Sequence, residues 1–254
     1  MQISLTPESI VKFGDFSVTN TVLMTVVISA LIIISSVIVG KRAKHKKTKH
    51  KPKGLHHISE VVLELLLDLA DSITGNREQS KKFFPYVATI FIFVILSNWI
   101  ELVPGLGTVG VYQMHHGERE LIPFIRSNSA DLNMTLAIAL VSVVMAQIMG
   151  ISALGLKKYG KKFLVSPLKK PYFVGTFVGL LEIISEFAKI VSFSFRLFGN
   201  IFAGEVLLTV MLMLVPYFIP LPFLFLELFV GFVQAMVFAM LTLVFFKMAT
   251  EEAH

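Results

Sequence analysis

Five apolar runs, each long enough to cross a bilayer, dominate what this chain can fold into. They are Val22 to Gly40, Phe83 to Val103, Met134 to Leu156, Phe173 to Val215 and Phe223 to Phe246. About twenty consecutive apolar residues span the hydrocarbon core, and a helix satisfies every backbone N–H and C=O within one such segment. Composition agrees, with 55% apolar residues, 16% charged ones and a mean hydropathy of +0.76, against about 25% charged in soluble domains. A soluble enzyme, a disordered tail and a secreted disulfide scaffold are excluded. Without cysteine there is no disulfide, no thiolate nucleophile and no Cys-based metal site. The expectation is an all-α multi-pass membrane protein, with residues 1–254 forming one membrane domain of five spans.

The connecting segments set the orientation. Eight Lys or Arg residues fill Lys41 to Lys53, and Arg77, Lys81, Lys82, Lys247 and six lysines between Lys157 and Lys170 follow. If five spans alternate, these eighteen of 23 basic residues share one side, which faces Lys12, Arg119 and Arg126 on the other. The positive-inside rule then puts the N-terminus outside and the C-terminus in the cytoplasm. Trp99 and Tyr217 mark the outer interface, Tyr86 and Tyr172 the inner one. No cleavable signal is expected, because residues 1–20 are polar and the first run is long enough to span. Leu55 to Ile73 is different: Ile58, Val61, Val62, Leu65, Leu66 and Leu69 alternate at helical period with Glu60, Glu64, Asp68 and Asp71. That pattern gives an amphipathic helix along the cytoplasmic surface, too charged to span.

Two motifs are decoys. Gly105, Gly107 and Gly110 match GxGxxG, but the dinucleotide fold needs a strand before and a helix after; a turn is expected instead. The lysine run has no interleaved aromatics and follows a span directly, which favours contact with anionic lipid over nucleic acid. The pairs His56–His57 and His115–His116 have no further ligand at metal spacing. Neither a cofactor nor a metal is expected.

The informative segment is Gly179 to Leu208. Charges inside a span are costly and by default mark an ion or substrate pathway. Glu182, Ser185, Lys189, Ser192, Arg196 and Asn200 recur at three- and four-residue spacing, on one helix face. From Glu182 to Arg196 the stripe runs about 21 Å at about 1.5 Å per residue. Glu205 is rotated from Arg196 by about 180° at about 100° per residue. Two polar spots on opposite faces at different depths suit two offset half-pathways rather than one straight pore.

The last span supplies partners, because Glu227 and Gln234 share a face. It returns antiparallel after the turn around Pro216, Pro220 and Pro222. In such a pair, residues at equal depth have a constant sum of residue numbers. The sums for Glu205 with Glu227 and for Arg196 with Gln234 differ by only two, so one register levels both pairs. Arg keeps its charge at any physiological pH, and beside a mobile carboxylate it favours ionisation. It would also stop protons slipping directly between two aqueous half-channels. The glutamates can bind and release protons; Asn200 and Gln234 can orient the guanidinium or water. Helix glue is an equally good account of Ser185, Ser192 and Asn200 taken singly. A structural ion pair accounts equally for Glu182 with Lys189. Asn98 and Glu101 read as interfacial.

These residues resemble a known family. FSFRLFGNIFAGEVLL resembles the signature of the a subunit of F-type ATP synthase. The likeness extends through PYVATIFIFVILSNWIELVPG, SADLNMTLAIAL, LLEIISEFAKIVSFSFRLFGN and FVQAMVFAMLTLVFF. The resemblance implies that Arg196 is the essential arginine facing the carboxylates of a rotating ring of c subunits. It implies that Asn200, Glu205, Gln234 and Glu227 belong to the proton path, with Asp131 near its outer mouth. Glu182, Ser185, Lys189 and Ser192 then form the inner, rotor-facing stripe. Members often pair one Glu with one His where this chain has Glu205 and Glu227. The family's last two spans form a hairpin tilted along the ring, which suits a run as long as Phe173 to Val215. The implied partners are the c ring, the b subunits of the peripheral stalk and the remaining complex, in a bacterial cell membrane. ATP chemistry would belong to partner subunits, and this subunit would be non-catalytic. A secondary transporter is the alternative from another class, but it predicts an internal repeat, and none is visible. A purely structural scaffold leaves the polar stripe unexplained.

Overall fold

The computed structural model describes residues 7–13, 16–45, 55–103, 105–115, 118–163, 174–215 and 217–251. Among the described residues seven α-helices run in chain order: α1 Asn20–His45, α2 Leu55–Thr74, α3 Arg77–Ile100, α4 Leu132–Leu154, α5 Leu156–Phe163, α6 Val174–Leu214 and α7 Pro220–Thr250. Five of them, α1, α3, α4, α6 and α7, are long and apolar enough to cross a membrane. The chain is thus an all-α multi-pass membrane protein, and α2 is amphipathic and outside the spanning set. Two short antiparallel hairpins, which helical periodicity alone did not foreshadow, stand at one end: β1 Ser9–Phe13 with β2 Phe16–Thr19, and β3 Gly110–His115 with β4 Glu118–Pro123. We call that end the hairpin side and the opposite end the basic side. Most of the lysine run, Tyr172 and Pro216 lie outside the described residues, as do the side chains of both histidine pairs.

Local chemistry sets the boundaries. Gly75, at φ +71°, ends α2, and the Asn76 side chain accepts from the Glu78 N–H at 2.9 Å to start α3. Asp131 caps α4 by accepting from the Asn133 N–H at 2.9 Å, and Pro220 opens α7 at a position where its missing N–H costs nothing. Gly105, at φ +90°, leads into a 3-10 turn at Leu106–Thr108 and then β3. The GxGxxG match is therefore a turn, with a helix before it and a strand after.

Helix α7 is the hub, packed against α3, α4 and α6. Edge-on aromatic pairs join α3 to α7 at two levels, Phe83–Phe246 with ring centroids at 5.6 Å and Phe91–Phe232 at 6.2 Å. On α6, Phe193 lies 4.6 Å from Phe238 and 4.9 Å from Phe245, and Leu197 is fully buried. At the hairpin side Asn98 Nδ2 donates to the Gly231 carbonyl at 3.1 Å, and Trp99 Nε1 to that of Leu228 at 3.0 Å. At the basic side Lys247 Nζ reaches the Ile73 carbonyl at 3.0 Å, satisfying an orphan acceptor at the end of α2. Helix α1 is peripheral and lightly buried. It is anchored where the Thr21 hydroxyl donates to Asp131 Oδ2 at 2.8 Å.

Arg77 forks onto Asp68, at 3.0 Å, and onto Asp71, joining α2 to α3. The Ser80 hydroxyl and then Arg77 hold the Asp71 carboxyl below the usual carboxylate range. A depressed pKa stabilises the fold above the ordinary value and loses that stabilisation as pH falls through the lowered one. Hydrogen exchange of α2 amides is therefore expected to be flat between about pH 5 and 8, after correction for intrinsic rates. The Arg77→Ala variant should raise that exchange roughly two- to five-fold, as expected for an exposed ion pair.

Candidate functional site

Helix α6 presents two polar regions that point in different directions. Ser185, Ser192, Arg196 and Asn200 are exposed on one flank, and Glu182 is half-buried beside them. Among the described residues the Arg196 guanidinium has one hydrogen-bond partner, the Ser192 hydroxyl, to which Nη2 donates at 3.5 Å, and no carboxylate pairs with it. Lys189 departs from the stripe. Its Nζ pairs with Glu186 Oε1 at 2.7 Å rather than with Glu182, and it sits 5.0 Å from the Phe245 ring centroid. Two helical turns separate Glu182 from Lys189, too far for the i,i+3 or i,i+4 contact that joins side chains on one helix.

Toward the hairpin side the opposite face of α6 meets a cluster of charge. Glu205 forms a two-point contact with Arg126, Nε to Oε1 at 3.4 Å and Nη2 to Oε2 at 3.4 Å, and the Arg126 side chain is 7% exposed. Glu227 of α7 is buried, and its carboxylate rests against Gly204 where a β-carbon would stand. Only glycine permits that approach. Glu101, at the end of α3, accepts the Ser127 N–H at 2.9 Å and feels the charges of Glu205, Arg126 and Glu227. The level pair Glu205–Glu227 is thus brought together. Arg196 and Gln234 are not: Gln234 is buried, Arg196 faces out, and no hydrogen bond joins them.

Around this cluster lie buried polar atoms without protein partners: Ser97 Oγ, Asn98 Oδ1, Ser129 Oγ and both side-chain heteroatoms of Asn128. Buried polar groups are nearly always satisfied, by ordered water if not by protein, so these atoms mark a polar region in want of further partners. Asp131 stands at its edge with both oxygens engaged, one capping α4 and one holding Thr21.

Sequence reasoning missed Arg126, which lies in a loop where no periodicity marks it. It placed Asn98 and Glu101 at the interface, whereas Asn98 is buried and Glu101 belongs to the charged cluster. It also passed over Glu186 and the buried hydrogen bond between Thr135 and Ser194, at 3.1 Å. At the basic side the Tyr159 hydroxyl of α5 donates to Gln147 Oε1 at 2.5 Å. Burial, followed by the charges of Glu186 and Glu182, pushes that phenol up to about 12. Among the described residues no group of His, Asp and Glu side chains forms a metal site. Three carboxylates and one guanidinium gather on this face, and a fixed charge on the far flank of the same helix is held apart from them.

The Gly204→Ala substitution puts a methyl group where the Glu227 carboxylate sits. Overpacking of this kind costs about 1–3 kcal/mol. The expected outcome is a folded protein with a lower melting temperature, measured by thermal unfolding in detergent.

Residues 22–247 match the family described as ATP synthase A chain. Among similar proteins, ATP synthase subunit a of Syntrophobacter fumaroxidans is 34% identical over 254 residues, covering 98% of this chain and 91% of the relative. That of Campylobacter jejuni is 36% identical over 210 residues, 80% of each, and that of Moorella thermoacetica 29% over 239 residues, 94% of each. The opposed polar faces of α6 are thus carried by a membrane-sector subunit, and the chain belongs to the ATP synthase A chain family.

Proposed function

We propose that this chain is the non-catalytic, proton-translocating stator of the synthase membrane sector, in which two offset half-channels serve a rotating ring of c subunits. The observation that carries the reading is the division of α6. Arg196 stands exposed and without a carboxylate partner on one flank, while Glu205 joins Glu227, Glu101 and Arg126 on the other. An isolated cation in hydrocarbon is too costly to leave unpaired, so it implies a partner surface bearing a negative charge. A carboxylate on a rotor subunit has that charge. Protons from outside pass through the polar region at Asn98, Asn128 and Ser129 to Glu227 and Glu205, then neutralise a rotor carboxylate. After rotation Arg196 favours ionisation of the returning carboxyl, and the proton leaves along Glu182, Ser185 and Ser192. Asn200, one turn on from the arginine, orients water beside it, and Gln234, level with the arginine but buried in the bundle, does so from within. Asp131 lines the outer mouth and holds α1 to α4. The b subunits of the peripheral stalk brace the chain, ATP is made by other subunits, and residues 1–254 act as one membrane domain.

The lysine-rich end faces the bacterial cytoplasm in this reading, and the hairpins face outward. With no native cysteine, Val109→Cys should react with an impermeant thiol reagent in intact cells, and Lys157→Cys only after lysis.

ATP-driven proton uptake into vesicles holding the assembled complex tests the mechanism. Arg196→Ala should abolish uptake, to the level of vesicles without complex, and leave assembly intact. Unchanged uptake in an intact complex would overturn the stator reading.

A further inference from the structure

Helix α6 carries two cations, and only one of them is unpaired. Lys189 lies seven residues before Arg196, on nearly the same flank and about 10 Å nearer the basic side at about 1.5 Å per residue. Its ammonium is turned into the bundle, where it pairs with Glu186 at 2.7 Å and lies over Phe245. Both side chains are largely buried, 17% and 16% exposed, between Gln147 of α4 and Phe245 of α7. A buried ion pair adds little net stability, because desolvation offsets most of the attraction. Packing alone would be served as well by two apolar side chains. What the pair does accomplish is to cancel a charge that would otherwise stand beside Arg196.

That cancellation matters if a carboxylate moves past this flank. A fixed cation directs such a carboxylate only if no second cation holds it further on. A free lysine on a flexible four-carbon stem would reach outward and hold it. We propose that Glu186 is a positioning residue that silences Lys189, leaving Arg196 as the single unpaired cation that α6 presents to the rotor. The proposal rests on the stator reading and extends it to a residue outside the proton path.

The test uses the intact complex in vesicles, with ATP-driven proton uptake and passive proton conductance expressed per assembled complex. Glu186→Gln should slow both, roughly three- to ten-fold, on the scale of one partly screened charge pair. Removing the freed charge as well, in the double variant Glu186→Gln with Lys189→Gln, should recover more than half of the loss. Glu186→Asp, which keeps the carboxylate, should lose less than Glu186→Gln. A Glu186→Gln complex that runs at the wild-type rate would overturn the proposal. So would a double variant no faster than the single one, or a single variant whose defect is confined to failed assembly. Arg196→Ala in the same vesicles separates the two readings. If it pumps normally, the stator mechanism falls; if it is inactive and the double variant shows no recovery, only the silencing role falls.

Discussion

Charge inside hydrocarbon has to be neutralised by something within reach, and in this bundle that requirement decides how the helices face one another. Arg126 is buried against Glu205, Lys189 is buried against Glu186, and Glu227 lies in the space left by Gly204. Arg196 alone among these cations is left on the surface. The division holds only if α6 keeps one rotation about its axis. Phe193, clasped between Phe238 and Phe245, sets that rotation together with fully buried Leu197 and the Ser194 hydroxyl bonded to Thr135. Arg196 follows Ser194 by two residues, about 200° around the helix, so anchoring Ser194 inward turns the guanidinium outward.

The number of spans and the positions of the polar residues on α6 were legible in the sequence because the bilayer removes alternatives. A run of twenty apolar residues has few other fates, and a helical period in its exceptions survives any packing. The antiparallel register also fixed depth, which is why Glu205 and Glu227 come level. Depth says nothing about direction, however, so Arg196 and Gln234 share a level without touching. Arg126 was hidden because loop residues follow no period. The pairing of Lys189 was read with Glu182 alone, and the reason it went to Glu186 is geometric: both lie toward its face, and only the nearer one is within reach. Asn98 looked interfacial because helix ends are normally wet; here the end of α3 is covered by α7, and its amide bonds to the Gly231 backbone instead.

Family membership locates the chain in the membrane sector of a larger complex, while the geometry sorts its polar groups into two ends. One end gathers Glu101, Glu205 and Glu227 with Arg126, beside the buried polar atoms of Asn98, Asn128 and Ser129. The opposite end holds a phenol, an amide and an ion pair locked into packing. The two ends therefore differ in kind, the first gathering charged groups and buried polar atoms, the second locking its polar groups into packing.

The contacts between α3 and α7 have a mechanical consequence. They are distributed along the whole length of the pair, as aromatic rings at Phe83–Phe246 and Phe91–Phe232 and as side-chain bonds at Gly231 and Leu228. Helix α6, by contrast, is backed by α4 and α7 and leaves its outer flank bare. A lateral push on that flank is carried through α7 into a beam riveted at three heights, so load spreads along the beam instead of prying one joint open. In the stator mechanism proposed above, stiffness behind the bare flank would keep the distance between Arg196 and the rotor constant as the ring turns.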